Sequence, residues 1–205
     1  MEKWNVLDVK EEFQMKVLVI VDMQKDFIDG SLGTPEAQAI VPKVVEKLRN
    51  YKNTNTIVLF TKDTHDKDYL TTPEGEKLPV EHCVEGTEGW AIDRAIHNEF
   101  KTGGYATYSA GDIINGRIIK PTFGSYDLID ALCDIDTQTE EGIFEIEFCG
   151  VCTDICVISN VLMTKAAFWD IPIVVDASCC AGVTPEKHAA ALEVMKSCQI
   201  DVIGE

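Results

Sequence analysis

Positive charge is scarce in this chain. Eighteen Lys and Arg stand against 35 Asp and Glu, for a net charge of −17, so a nucleic-acid backbone or an anionic lipid surface would be repelled rather than held. No apolar run approaches the roughly 18 residues of a membrane span, and the first dozen residues mix Glu, Lys and Asp with scattered apolar side chains, unlike a signal peptide. The phosphate-binding glycine fingerprint, the Walker sequence and the Gly-x-Ser-x-Gly elbow are all missing, which removes the common nucleotide-binding and serine-hydrolase readings. No internal repeat or low-complexity tract occurs. Histidine is limited to four residues. Cysteine is plentiful, with eight in 205 residues. Without an export signal these read as free thiols in a reducing cytoplasm rather than a disulfide framework.

Apolar content of 45% and charged content of 26% are ordinary for a globular chain. The length suits one domain over residues 15–205, with 1–14 as an N-terminal extension. Short β-branched runs at 15–21, 56–60, 117–120, 143–148, 171–175 and 200–203 alternate with helical periodicity at 40–52, 88–100, 126–134 and 184–198, and with a helix after Cys152. Pro42 and Pro185 are placed near first turns, Gly150 is expected to break the fourth strand, and Asn115-Gly116 marks a turn. Alternation of this kind predicts an α/β three-layer sandwich around a six-stranded, mostly parallel sheet. The polar stretch 66–87 is too long for an idle connection. Glu145 and Glu147 share a face of the fourth strand, and the sequence offers no account of how Glu147 is accommodated there.

Ligands of such sheets bind beyond the carboxyl ends of the strands, and reactive side chains gather there. Asp22 ends the first strand, Asp63 and His65 the second, and Lys120 the third. Cys156 falls in the first helical turn after the fourth, where unpaired amides and the helix dipole favour a thiolate. The plainer reading of Cys156 is a buried structural cysteine, but four reactive positions on one rim favour an active site. In that reading Cys156 is the nucleophile and Asp22 carries its proton, while Lys120 favours the thiolate and holds the carboxylate. Backbone N–H groups of Cys152 and Cys156 would hold an oxyanion. His97 and His188 lie in helical stretches and read as surface or core residues.

Asp63, His65 and His82 are of the type that zinc, manganese or iron accepts, with Asp68, Glu74 or Glu76 near enough in sequence to add a ligand. A competing metal set is Cys149, Cys152 and Cys156, with Cys179 and Cys180. Against it, Cys149 belongs to a buried strand and no second Cys-x-x-Cys completes the set. A catalytically silent scaffold is disfavoured by the intact Asp22, Lys120 and Cys156.

These residues stand in five ordered motifs: Val21-Asp22-Met23-Gln24-Lys25-Asp26-Phe27, Thr61-Lys62-Asp63-Thr64-His65, Pro79-Val80-Glu81-His82-Cys83, Lys120-Pro121-Thr122-Phe123, and Gly150-Val151-Cys152-Thr153-Asp154-Ile155-Cys156-Val157. Over residues 16–203 the chain resembles the isochorismatase-like cysteine hydrolases, in their nicotinamidase and pyrazinamidase branch. The resemblance implies an Asp22–Lys120–Cys156 triad, a cis peptide between Val151 and Cys152, and a metal at Asp63, His65 and His82 that binds the pyridine nitrogen of nicotinamide. It further implies Phe27, Trp90 and Phe123 beside the ring, and a dimer or tetramer. No His lies between His65 and His82, so Asp68, Glu74 or water fills a fourth ligand position. The segment 69–90 also departs from better-known nicotinamidases, which bears on the substrate more than on the reaction. True isochorismatases cleave a vinyl ether and typically lack both the nucleophilic cysteine and the metal. The expected activity is therefore release of ammonia from a small amide through a thioester, with nicotinamide leading and another amide, ureide or carbamoyl compound as the alternative.

Overall fold

The computed structural model describes residues 15–138 and 142–205; the expected N-terminal extension, 1–14, lies outside the described residues. Six strands form one sheet: β1 (Met15–Val21), β2 (Ile57–Asp63), β3 (Arg117–Lys120), β4 (Ile143–Val151), β5 (Ile173–Ala181) and β6 (Asp201–Ile203). Their order is β3-β2-β1-β4-β5-β6, and every pairing is parallel. Residues 17–21 of β1 and all of β2 are buried, as the apolar runs 17–21 and 57–60 require of central parallel strands, and β2 carries the polar Thr61, Lys62 and Asp63 at its buried end.

Strand order reverses between β1 and β4. Right-handed crossovers therefore put α2 (Pro35–Asn50) and α4 (Arg94–Lys101) on one face of the sheet. The other face carries α5 (Tyr126–Asp136), α6 (Ile158–Ala167) and α7 (Pro185–Ser197). The two shorter helices are α1 (Lys25–Ile28) and α3 (Pro73–Lys77). The reversal opens a crevice at the carboxyl ends of β1 and β4, the two ends that carry Asp22 and the Cys152–Cys156 turn.

Several elements differ from expectation for identifiable reasons. Thr34, whose hydroxyl accepts from Ala37 N–H, caps α2, with Pro35 at its first position. The helix thus begins ahead of 40, and Pro42 lies in its interior. Asp93 accepts from the amides of Ala95 and Ile96 and delays the start of α4 to Arg94. Asn115 and Gly116 both take positive φ, 51° and 70°, and make the expected turn into β3. Gly150 does not end β4. At φ 121°, a Cβ there would lie 2.1 Å from the carbonyl oxygen of Val21, so glycine lets β4 run close beside β1. Beyond β4 the chain winds a π-helical turn, Thr153–Val157, before α6. Likewise β5 passes through Asp176, whose carboxylate meets Lys47 Nζ at 2.7 Å.

Glu147 now has its explanation. It is buried, and Lys16 Nζ reaches it at 2.6 Å, while Lys47 and the hydroxyl of Tyr51 also bond its carboxylate. Burial alone would raise its pKa, but the bonds from Lys16, Lys47 and Tyr51 lower it. A buried charge paired on this scale needs no solvent.

Candidate active site

Asp22 stands at the β1 terminus with φ 47°, a left-handed conformation uncommon outside glycine and held only where surroundings enforce it. Thr61 provides that enforcement. Its carbonyl and its hydroxyl both accept from Asp22 N–H, at 3.3 Å and 3.2 Å, and its hydroxyl donates to Asp22 Oδ1 at 2.7 Å. Gln24 bolts β1 to β2: its Nε2 donates to Asp63 O at 2.8 Å and its Oε1 accepts from Asp63 N–H at 2.7 Å. Thr61 and Gln24 carry no reactive group, so chemistry-led reading of the sequence passed over them as site residues. Their one signal is polarity at the ends of buried strands.

Lys120, at the β3 terminus, is 1% exposed and brings the rest together. Its Nζ lies 2.7 Å from Asp22 Oδ2 and 3.5 Å from Cys156 Sγ, and it donates to Thr122 O at 3.1 Å. Burial opposes charge on this lysine, but Asp22, then Cys156 and Asp63, outweigh it and hold its pKa above the ordinary value. Burial also raises the pKa of Asp22, with Lys120 opposing.

Burial, then the Asp22 carboxylate, push the Cys156 thiol well above the usual range, and Lys120 opposes them. These two influences act against the helix-terminus effect that favours a thiolate. Asn160 fixes the turn below, donating to Cys156 O at 2.8 Å and to Phe123 O at 3.0 Å. Cys152 O accepts from the N–H groups of Ile155 and Val157, and the Val151–Cys152 peptide is cis.

Asp63, His65 and His82 offer ligand atoms that all lie within 4.8 Å of one another, and all three residues are buried. His65 Nε2 and His82 Nε2 lie 2.9 Å and 3.4 Å from Asp63 Oδ2. Burial would raise Asp63, but the two imidazoles, then Lys120, hold it below the usual carboxylate range. His65 Nε2 is buried and, although close to Asp63 Oδ2, makes no contact of hydrogen-bond geometry. A divalent cation fits it, since one carboxylate and two imidazoles are a donor set that zinc accepts. Glu74 Oε1 is 3.9 Å from both Nε2 atoms. Asp68 is exposed at the head of the 3₁₀ turn Tyr69–Thr71, so of these two acids Glu74 is the one that faces the site. Tyr69, wholly buried, packs on both rings at 4.6 Å and 4.9 Å.

A cavity of about 280 Å³ joins these parts, with Phe27, Phe123, Asp63, His82, Cys152 and Cys156 in its wall. Trp90 is not in that wall. Its indole N–H donates to Thr64 Oγ1 and Lys62 Nζ covers its ring. The cysteine-ligand alternative has no support, because no cysteine group with metal-binding geometry occurs among the described residues. No helix among the described residues is long and apolar enough to cross a membrane.

Known proteins share this arrangement of chain. A nicotinamidase of Schizosaccharomyces pombe is 27% identical, over 92% of this chain and 92% of its own. A nicotinamidase/pyrazinamidase of Mycobacterium tuberculosis is 26% identical, over 92% and 98%. The crystal structure of a Pyrococcus horikoshii pyrazinamidase in complex with zinc superposes with a TM-score of 0.69 at 26% identity, covering 93% of this chain and 99% of that one. The isochorismatase domain model matches residues 16–107 and 117–204. With the family model covering most of its length, the chain belongs to the isochorismatase family of hydrolases.

Proposed function

We propose that this hydrolase is a cysteine amidohydrolase converting nicotinamide to nicotinate and ammonia. The observation that carries the reading is the single buried ammonium of Lys120, in contact with both Asp22 Oδ2 and Cys156 Sγ beside an aromatic-lined cavity that ends in a carboxylate–imidazole group. Similarity to nicotinamidases along nearly the whole chain supports the choice of amide.

Asp22 Oδ2, ion-paired with Lys120 at 2.7 Å, has lone-pair capacity left to accept the Cys156 proton. Burial makes it a stronger base than an ordinary carboxylate. As the proton leaves, Sγ attacks the amide carbon, and Lys120 balances the charge shared by sulfur and carboxylate. The carbonyl oxygen becomes an oxyanion facing the N–H groups of Cys152 and Cys156. Asp22 returns its proton to the amide nitrogen, the C–N bond breaks, and ammonia departs from a thioester. Water, deprotonated by Asp22, then attacks the thioester; the carboxylic acid is released and the thiol regains its proton. A divalent metal held by Asp63, His65, His82 and Glu74 would supply a Lewis-acid anchor for the ring nitrogen of the substrate. Phe27 and Phe123 flank the ring.

Ammonia release from a panel of small amides tests the proposal. Nicotinamide should be the best substrate, and Cys156→Ala and Asp22→Asn should each lower kcat by about 10³-fold or more. Activity that survives Cys156→Ala would refute it.

A further inference from the structure

The turn that supplies the oxyanion amides is fastened by side-chain ties to the chain that follows β5, of which Gly182 and Val183 also line the cavity. Thr153, its first residue, is fully buried, so its hydroxyl requires a partner. That partner is His188, on the first turn of α7, with 2.8 Å between Thr153 Oγ1 and His188 Nδ1. Asp154 adds a second tie, its Oδ1 accepting from Val183 N–H at 2.8 Å. Gly182 leaves no slack between them, for a Cβ there would lie 2.8 Å from Asp154 Oδ1 and 2.9 Å from His188 N.

Neither tie touches the reacting atoms. One holds the first turn of α7 and the other the segment between β5 and α7 against residues 153 and 154, adjoining Cys152 and just ahead of Cys156. The bonds internal to the turn, from Ile155 and Val157 to Cys152 O, set its curvature but not its position over the cavity. Asn160 holds the far end of the turn through Cys156 O, and the ties of Thr153 and Asp154 hold its near end.

We propose that His188 is a positioning residue for the oxyanion amides, acting through the Thr153 hydroxyl. The inference rests on the amidohydrolase reading above. His188 also revises its sequence reading as an incidental surface or core histidine. Burial lowers its pKa, with Asp154 and Glu205 opposing, a direction that favours the neutral imidazole sharing one proton with the hydroxyl.

An oxyanion donor matters most where negative charge develops, so loosening this tie should lower kcat and leave KM nearly unchanged. His188→Ala is expected to lower kcat for nicotinamide by about 10–100-fold, less than outright loss of a donor, with KM within about twofold. It should weaken by the same factor the reversible adduct of Cys156 with nicotinaldehyde, in which the thiol adds across the C=O bond and no group leaves. His188→Asn keeps an amide atom near the place of Nδ1 and should recover most of both losses, whereas Thr153→Val should reproduce them. The double variant His188→Ala/Thr153→Val should be no worse than either single one. A His188→Ala enzyme with unchanged kcat and adduct affinity would overturn the assignment, and so would additive losses in the double variant or equal losses in the Ala and Asn variants. A wild-type enzyme that hydrolyses none of the amides would overturn the amidohydrolase reading instead, and this inference with it.

Discussion

Replacing Lys120 with methionine keeps most of the side-chain volume and removes the one cation among Asp22, Cys156 and Asp63. In the wild type that ammonium lies 2.7 Å from Asp22 Oδ2 and 3.7 Å from Asp63 Oδ1, itself 1% exposed. Asp63 retains its imidazole partners; the Asp22 carboxylate keeps only the Thr61 hydroxyl, which donates to Oδ1. Leaving one member of a buried pair ionised costs about 3–5 kcal/mol. Asp22 can escape part of that cost by binding a proton, since burial already raises its pKa. In the variant its folded pKa climbs further above the unfolded value of about 3.9. The folded state then holds more protons than the unfolded state between those two pKa values, so stability falls as pH rises, by up to about 1.4 kcal/mol per pH unit. Below the unfolded value both states are protonated and the penalty disappears. Urea unfolding of wild type and Lys120→Met, compared at about pH 5 and about pH 7, should therefore show a larger stability deficit at the higher pH. Asp22→Asn placed on top of Lys120→Met should restore about 2 kcal/mol or more by removing the stranded carboxylate. Equal deficits at both pH values, with no recovery in the double variant, would refute the account of Lys120 as the counter-charge of Asp22.

Cys156, whose thiol burial and Asp22 push upward, should react with iodoacetamide at neutral pH more slowly than the exposed Cys133 and Cys198, and faster as pH rises. Peptide mass spectrometry over a time course would read this, and a Cys156 that outpaces both would point to a preformed thiolate. Metal content after dialysis should be about one divalent ion per chain in the wild type and near zero in His82→Ala, whereas Glu74→Gln should retain metal with affinity reduced about 10–100-fold. Full occupancy in His82→Ala would remove that histidine from the ligand set. Gly150→Ala forces a Cβ to 2.1 Å from Val21 O at φ 121°, and thermal or urea unfolding should show a loss of at least about 2 kcal/mol. An unaltered midpoint would mean that β1 and β4 can separate freely.

The sheet was legible because its strands are apolar runs whose cause is local: burial on both faces selects β-branched residues whatever the neighbouring strand is. The reactive rim was legible for a related reason, as Asp22, Asp63 and Lys120 each interrupt such a run with a charge. What escaped depends on distant partners. Glu147 resembles a misplaced acid until Lys16, Lys47 and Tyr51 arrive from β1 and α2. Trp90 has the chemistry of a ring-binding residue, but Lys62 and Thr64 occupy it. His188 lies 35 residues from Thr153, and nothing in the spacing of α7 distinguishes it from a surface histidine. For Cys156 the sequence shows the helix terminus, worth about half a charge, but not the burial and the neighbouring carboxylate that oppose a thiolate.

The two buried charge clusters of this molecule differ in a way that separates structure from chemistry. Around Glu147 each carboxylate oxygen meets a lysine and the Tyr51 hydroxyl adds another donor, so the cluster is complete as it stands. Around Lys120 and Asp63 it is not. Asp22 Oδ2 is ion-paired with Lys120 at 2.7 Å and His65 Nε2 lies 2.9 Å from Asp63 Oδ2, yet neither contact has hydrogen-bond geometry; among the described residues the one other such buried side-chain atom is Thr164 Oγ1, in α6. A buried ion pair with imperfect hydrogen bonding is weak support for stability. In the proposed reaction Asp22 Oδ2 takes the proton of Cys156, and His65 Nε2 would share a cation with Asp63 and His82. The unsatisfied cluster therefore marks where the fold trades stability for reactivity, and a bound metal should raise the unfolding temperature of the wild type while leaving that of His65→Ala unchanged.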